Sequence, residues 1–202
     1  MLHVNYRHFT FILILGTLFH GCIDIGADKQ NKGVQINIGD LHGHWESRAI
    51  GIPVNIDCDF KITGTGLPSP TGLRNDLQYY YNITDNNVDC YVKCIVDANL
   101  PGATDNPVYV LQLDNERIIS VEDGHKVKTN IFENISTYDV AIDDSTESSI
   151  VLVRQQNRDG YSHIAFTLNA VTATEWSETI NEVISLGDPD YEEAYDAVFN
   201  NF

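Results

Sequence analysis

Positive charge is scarce in this sequence. Its 12 lysines and arginines stand against 29 aspartates and glutamates, a formal net charge of −17 over 202 residues. Such a balance leaves no basic patch for nucleic acid or for an anionic membrane surface. A partner selected by charge is therefore basic; the plainer role of the acidity is to keep the chain soluble. Apolar runs are short as well: Phe9 to Phe19 is too brief to hold a stable helix across a bilayer. The chain has no Gly-x-Ser-x-Gly elbow, no His-Glu-x-x-His, no dinucleotide fingerprint and no Cys-x-x-Cys pair. Each absence removes one familiar chemistry, and no cofactor is implied.

What is present begins with an address. Arg7 precedes the apolar run Phe9 to Phe19, which has the form of the hydrophobic region of a secretory signal, so the chain is expected to be exported. Leu18-Phe19-His20-Gly21-Cys22 resembles the bacterial lipoprotein signal. That resemblance implies removal of residues 1–21, lipidation of Cys22, and a periplasmic or outer-membrane-anchored protein that touches the membrane only through its lipid. Ordinary cleavage, for instance after Ala27, is the alternative. Residues 22–33, polar and glycine-bearing, then form a tether ahead of the fold.

Val34, Ile36 and Ile38 alternate with Gln35 and Asn37, predicting a first strand that Gly39 ends. The next residues, Gly39-Asp40-Leu41-His42-Gly43, resemble the first metal-binding block of the metallophosphoesterases, in which the Asp and His hold metals that activate water. That family also carries blocks of the form Gly-Asp-x-x-Asp-Arg-Gly and Gly-Asn-His-Glu. Neither occurs here, Gly187-Asp188-Pro189-Asp190 being the nearest echo, and the family is not assigned. Apart from any family, Asp40, His42 and His44 share one face of an extended chain, where a carboxylate and two imidazoles suit Zn²⁺ with a position open to water. A metal-dependent hydrolase built on these three residues is the alternative function; the plainer reading is a polar loop with no metal and solvated histidines.

The rest of the chain reads as strands. Val54, Ile56, Cys58, Phe60 and Ile62 alternate with Asn55, Asp57, Asp59 and Lys61, predicting one strand with Cys58 facing inward, followed by a loop from Gly64 to Gly72. Leu77 to Ile83 and Val88 to Asp97 form a hairpin through Asp85-Asn86-Asn87, with Tyr79 and Tyr81 assigned to the core. Cys90 and Cys94 face inward on one strand. Four residues of strand separate them by about 13 Å, beyond the ~7 Å that a disulfide spans. Cys58 is therefore expected to pair with Cys90 or Cys94, for roughly 4 kcal/mol on the loop-entropy model. Further strands follow near Tyr109, Ile119, Val127, Tyr138, Ile150 and Ile164, with turns at Asp114-Asn115, Asp123-Gly124 and Asp159-Gly160. Short connections favour an antiparallel meander.

The period then changes. Thr172 with Glu175 forms a capping box, and Trp176, Ile180, Val183 and Ile184 predict a helix from Ala173 to Leu186 that Gly187 stops. Asp188 and Pro189 open a second helix lined by Tyr191, Ala194, Tyr195 and Val198. The expected fold class is α+β and predominantly antiparallel β, a meander forming a sandwich or strongly curved sheet. A single domain over residues 34–202 ends in a helical hairpin packed on that sheet. The expected function is that of a non-catalytic exported binding protein, of inhibitor or immunity type, recognising a basic protein with an acidic surface that includes the loop Asp143 to Glu147.

Overall fold

A computed structural model describes residues 34–67, 77–85, 87–95, 108–114, 116–132, 134–143 and 148–200. Residues 1–33, on which the expected signal, Cys22 and the expected tether fall, and residues 144–147 of the acidic loop lie outside them. Ile38–Leu41 is a 3₁₀ turn, followed by β1 (Gly43–Ser47), β2 (Ile52–Ile56), β3 (Ile62–Thr65), β4 (Leu77–Thr84), β5 (Asn87–Ile95) and β6 (Val108–Gln112). Then come β7 (Arg117–Glu122), β8 (Lys126–Thr129), β9 (Ser136–Ala141), β10 (Ser149–Arg158), β11 (Tyr161–Ala170), α1 (Ala173–Ile180), β12 (Val183–Ile184) and α2 (Tyr191–Phe199). No helix among the described residues is long and apolar enough to cross a membrane.

The meander closes on itself. Eight strands run in the order β1-β4-β5-β7-β8-β9-β10-β11, and β11 returns to β1 through Trp45↔Ala170 and Glu46↔Asn169. The sheet is predominantly antiparallel as expected, but in place of the expected sandwich or strongly curved open sheet it closes into a barrel, and closure removes the free edges that an open sheet would leave. Two long strands each share one edge between a barrel neighbour and an extra strand. On β5, Asn87 and Val88 pair with β7 while Tyr91 to Ile95 pair with β6; on β11, Asn169 and Ala170 pair with β1 while His163 to Ala165 pair with β2.

Eight strands enclose just enough room for side chains to fill. The interior is packed by Trp45, Tyr81, Ile83, Cys90, Ile119, Tyr138, Leu152, Phe166, Leu168 and their neighbours, with the Tyr81 hydroxyl donating to the Ile131 carbonyl at 3.0 Å. Past the barrel the same face of β5 carries Val92 and Cys94 into a second core under Tyr191, Ala194 and Val198 of α2. Outside β10 and β11, the β2–β3 hairpin covers Val151, Val153 and Ala165. Asp123-Gly124 and Asp159-Gly160 turn the chain where expected, all four residues having positive φ.

Several local expectations change. Residues 34–38 form no strand: Asn37 accepts from Gly39 N and Asp40 accepts from Asn37 N, a capping box that starts the 3₁₀ turn and sends Leu41 into the barrel core. The predicted strand from Val54 to Ile62 is a hairpin, because Asp57 Oδ1 accepts from the N–H groups of both Asp59 and Lys61 and folds the chain back at Phe60 (φ 59). Gly64 and Thr65 belong to β3 rather than to a loop. Chain reversal does not occur at Asp114, since β6 and β7 follow one another along the same edge of β5, with Leu113 N still bonded to Cys90 O. Helix α1 stops at Ile180, and β-branched Val183 and Ile184 pair in parallel with β6 instead. Asp188 accepts from Ser185 N at 2.7 Å, closing a turn, and α2 begins only at Tyr191. The two helices do not share a sheet face: Tyr91 faces α1 and its neighbour Val92 faces α2, on opposite sides of β5.

Candidate functional site

The structure separates the three residues of the metal-site expectation. Asp40 is held by Asn37, accepting from its backbone N–H at 2.9 Å and its side-chain Nδ2 at 2.7 Å. His42 Nε2 accepts from the backbone N–H of Asp85 at 3.0 Å. His44, on β1, stacks on Trp176 with ring centroids 4.3 Å apart. Each side chain thus has its own partner, and among the described residues no cluster of three His, Cys, Asp or Glu is placed to hold a metal ion.

The cysteines are also apart. Cys58 stands exposed on the β2–β3 turn, whereas Cys90 and Cys94 are buried and in no disulfide. The expected pairing of Cys58 with either one therefore fails, and the cause is the Asp57 turn, which moves Cys58 out of a strand and onto the surface. Burial pushes the Cys90 thiol up to about 12, against the nearby Arg117 guanidinium, so it is a poor nucleophile at neutral pH.

Sequence reasoning overlooked one polar pair. Ser162 and His163 lie on β11 with Ser162 Oγ 2.8 Å from His163 Nδ1; burial lowers the His163 pKa, opposed by the Asp139 carboxylate. A hydroxyl beside an imidazole is the beginning of nucleophilic chemistry. Ser162 and His163 line neither the cleft under α1 nor the one between Val34 and Ile142. The lowered His163 pKa has a consequence for stability. The unfolded chain protonates His163 more readily than the folded one, so stability is full above the ordinary pKa of about 6.5 and declines as pH falls from there through the lowered folded value. His163→Gln is expected to flatten that part of the acid-unfolding curve; an unchanged curve would show that the imidazole is solvated in the fold.

The most developed surface feature lies beneath α1. On the outer wall of the barrel, register places Glu46 opposite Tyr80, Tyr80 opposite Tyr91, and Gln78 opposite Lys93. The helix enters from β11 through Val171, whose N–H donates to His44 O at 2.9 Å, and its first turn is fixed by the box in which Thr172 Oγ1 and Glu175 cap one another. Trp176 is the one residue of α1 that is buried. It stacks on His44 and meets Tyr80 and Tyr91 edge-on at 6.5 and 5.6 Å. Beside this anchor is a cleft of about 310 Å³ lined by Glu46, Tyr80, Lys93, Glu175, Glu178 and Thr179 among others. Three carboxylates there face one ammonium. The Glu175 pKa is lowered by its hydrogen bonds from Thr172, and the Tyr80 phenol is raised by burial and then by Glu46. At neutral pH the cleft is therefore anionic, polar and open to solvent, a shape that suits a cationic side chain rather than an apolar ligand. Compared with known proteins, the chain matches no family model, no curated protein and no solved structure at a significant level.

Proposed function

We propose that the protein is an exported, non-catalytic binding protein that recognises a basic protein, acting as an inhibitor or immunity-type factor. The observation that carries this reading is the concentration of chemistry on the outside. The barrel interior is filled by its own side chains, while a chain with a net charge of −17 presents an anionic cleft on its wall. A filled barrel leaves no room for a small ligand within it, and a rigid acidic wall supports recognition of complementary charge. Export is supported by Arg7 and the apolar run Phe9 to Phe19.

The test is a binding measurement with a charge control. A basic protein captured from the native envelope is expected to associate with a rate that falls as salt rises, since Debye screening shortens long-range attraction. Glu178→Lys with Glu46→Gln is expected to slow association by roughly tenfold while changing dissociation less, the pattern of steering charges. A captured protein whose association ignores both salt and these substitutions would be adventitious. Hydrolysis of a phosphate ester or peptide that EDTA abolishes would replace the binding reading with an enzymatic one.

A further inference from the structure

The anionic cleft continues into an apolar shelf on the same sheet face. Tyr91, Lys93 and Ile95 follow one another at two-residue steps on β5, so their side chains leave the same side of the sheet, the side on which Tyr91 meets Trp176 of α1. Opposite them on β6 stand Gln112, Val110 and Val108. Val110 is 5% exposed, with Val183 of β12 as its neighbour on the next strand. Past it the face is uncovered: Ile95 is 50% and Val108 47% exposed, and the two are partners in the ladder. Single exposed apolar residues are ordinary, but two β-branched side chains directly opposite one another make one patch.

We propose that this face reads a short extended segment of the basic partner, taking a lysine or arginine side chain in the cleft and an apolar side chain, two residues away, on Ile95 and Val108. This rests on the binding reading already proposed and adds to it the sequence pattern that the partner presents. Lys93 lines the cleft, and Ile95 lies one two-residue step along β5, about 7 Å away. Residues two apart on an extended partner share a face and span the same distance. Charge selects the occupant. Glu46, Glu175 and Glu178 surround the single ammonium of Lys93 and attract a cation, whereas a second copy of this chain would bring its own net charge of −17. The cleft then governs the approach of the partner, and the apolar shelf governs how long it stays. Lys93 opposes the incoming cation.

Three blocked pentapeptides, Thr-Arg-Thr-Leu-Thr, Thr-Arg-Leu-Thr-Thr and Thr-Arg-Thr-Ser-Thr, titrated into methyl-labelled protein and followed by NMR, test the face directly. The first is expected to shift the methyls of both Ile95 and Val108 and to bind about fivefold more tightly than the others, one of which turns its leucine to the opposite face while the other lacks it. Ile95→Thr with Val108→Thr should remove that advantage without moving the urea midpoint, since both sites are exposed. Ile135→Thr, at an exposed isoleucine ahead of β9, should keep it. Lys93→Gln should tighten all three peptides by about threefold at low salt. Equal affinities, no binding by any of the three, or shifts confined to other methyls would overturn the proposal, as would a dimer of this chain formed through Ile95 and Val108. A captured basic protein whose association depends on salt and on the cleft carboxylates, yet ignores the double threonine variant, would overturn the proposal alone; one that ignores salt and carboxylates as well would take the basic-partner reading with it.

Discussion

Phe166→Ala is expected to destabilise the protein by about 3–5 kcal/mol, the usual cost of deleting a buried aromatic ring. Phe166 is 5% exposed and stacks on Phe132 with centroids 4.7 Å apart, and both rings meet Tyr138 edge-on at 5.8 Å. This three-ring cluster joins β9, β11 and the segment after β8 across the barrel interior. A closed barrel has hydrogen bonds on both edges of its strands, so the walls relax little around a void and most of the cavity energy remains. Against a total stability of roughly 5–15 kcal/mol, that loss removes a third or more of the margin. Urea unfolding should show a lower midpoint at an unchanged slope, and Phe166→Leu, which refills much of the space, should cost under about 2 kcal/mol. A loss below about 1 kcal/mol for the alanine variant would mean that the three rings do not pack as described.

The same barrel shows which parts of the fold were legible in the sequence. Val88, Cys90, Val92 and Cys94 announced the inner face of β5, because one face of that strand is apolar throughout and the other is not. The Asp123-Gly124 and Asp159-Gly160 turns were legible because their backbones need positive φ, which Gly and Asp supply. Strand β1 was hidden. Its sequence, Gly-His-Trp-Glu-Ser, carries little apolar alternation, and its outer face is covered by α1 rather than by solvent. Closure itself rests on Trp45↔Ala170, a contact far apart in the chain that no local pattern encodes. At Asp57 a local hydrogen-bonding competitor interrupted a perfect period of two, which is why Cys58 was assigned to the wrong face.

The cleft was harder still to foresee. Glu46, Lys93 and Glu178 come from β1, β5 and α1, and each alone reads as an ordinary solvated charge. One signal was available: Tyr80 and Tyr91 are aromatic residues on the otherwise polar side of a hairpin, which implies that something apolar covers them. The alternative metal site does not assemble for a related reason. Spacing two apart brings side chains together only on an extended chain, and the Asn37 capping box turns Asp40 into a 3₁₀ segment before His44 enters β1.

Trp176→Ala is expected to release α1 from the barrel wall. Loss of a buried indole costs about 3–5 kcal/mol when the whole fold must absorb it, but here a cheaper route exists. Trp176 is the buried residue of an eight-residue helix, and a helix that short is not stable alone in water. Once detached, α1 can unfold while β1, β4 and β5 keep their ladders, so the penalty is capped at the free energy of local opening. Amide exchange in residues 173–180 should therefore accelerate to nearly the unstructured rate, while the global unfolding midpoint falls less than in Phe166→Ala. His44, Tyr80 and Tyr91 lose their shared aromatic contact together. The cleft loses the wall formed by Glu175, Glu178 and Thr179, leaving Glu46 and Lys93 to neutralise one another on the barrel surface. If the basic partner docks there, its affinity should fall by at least tenfold in a variant whose barrel remains folded. Retained protection in α1 would show that the helix is held by contacts other than its tryptophan, and retained affinity with α1 exchanging freely would place the partner elsewhere on the acidic surface.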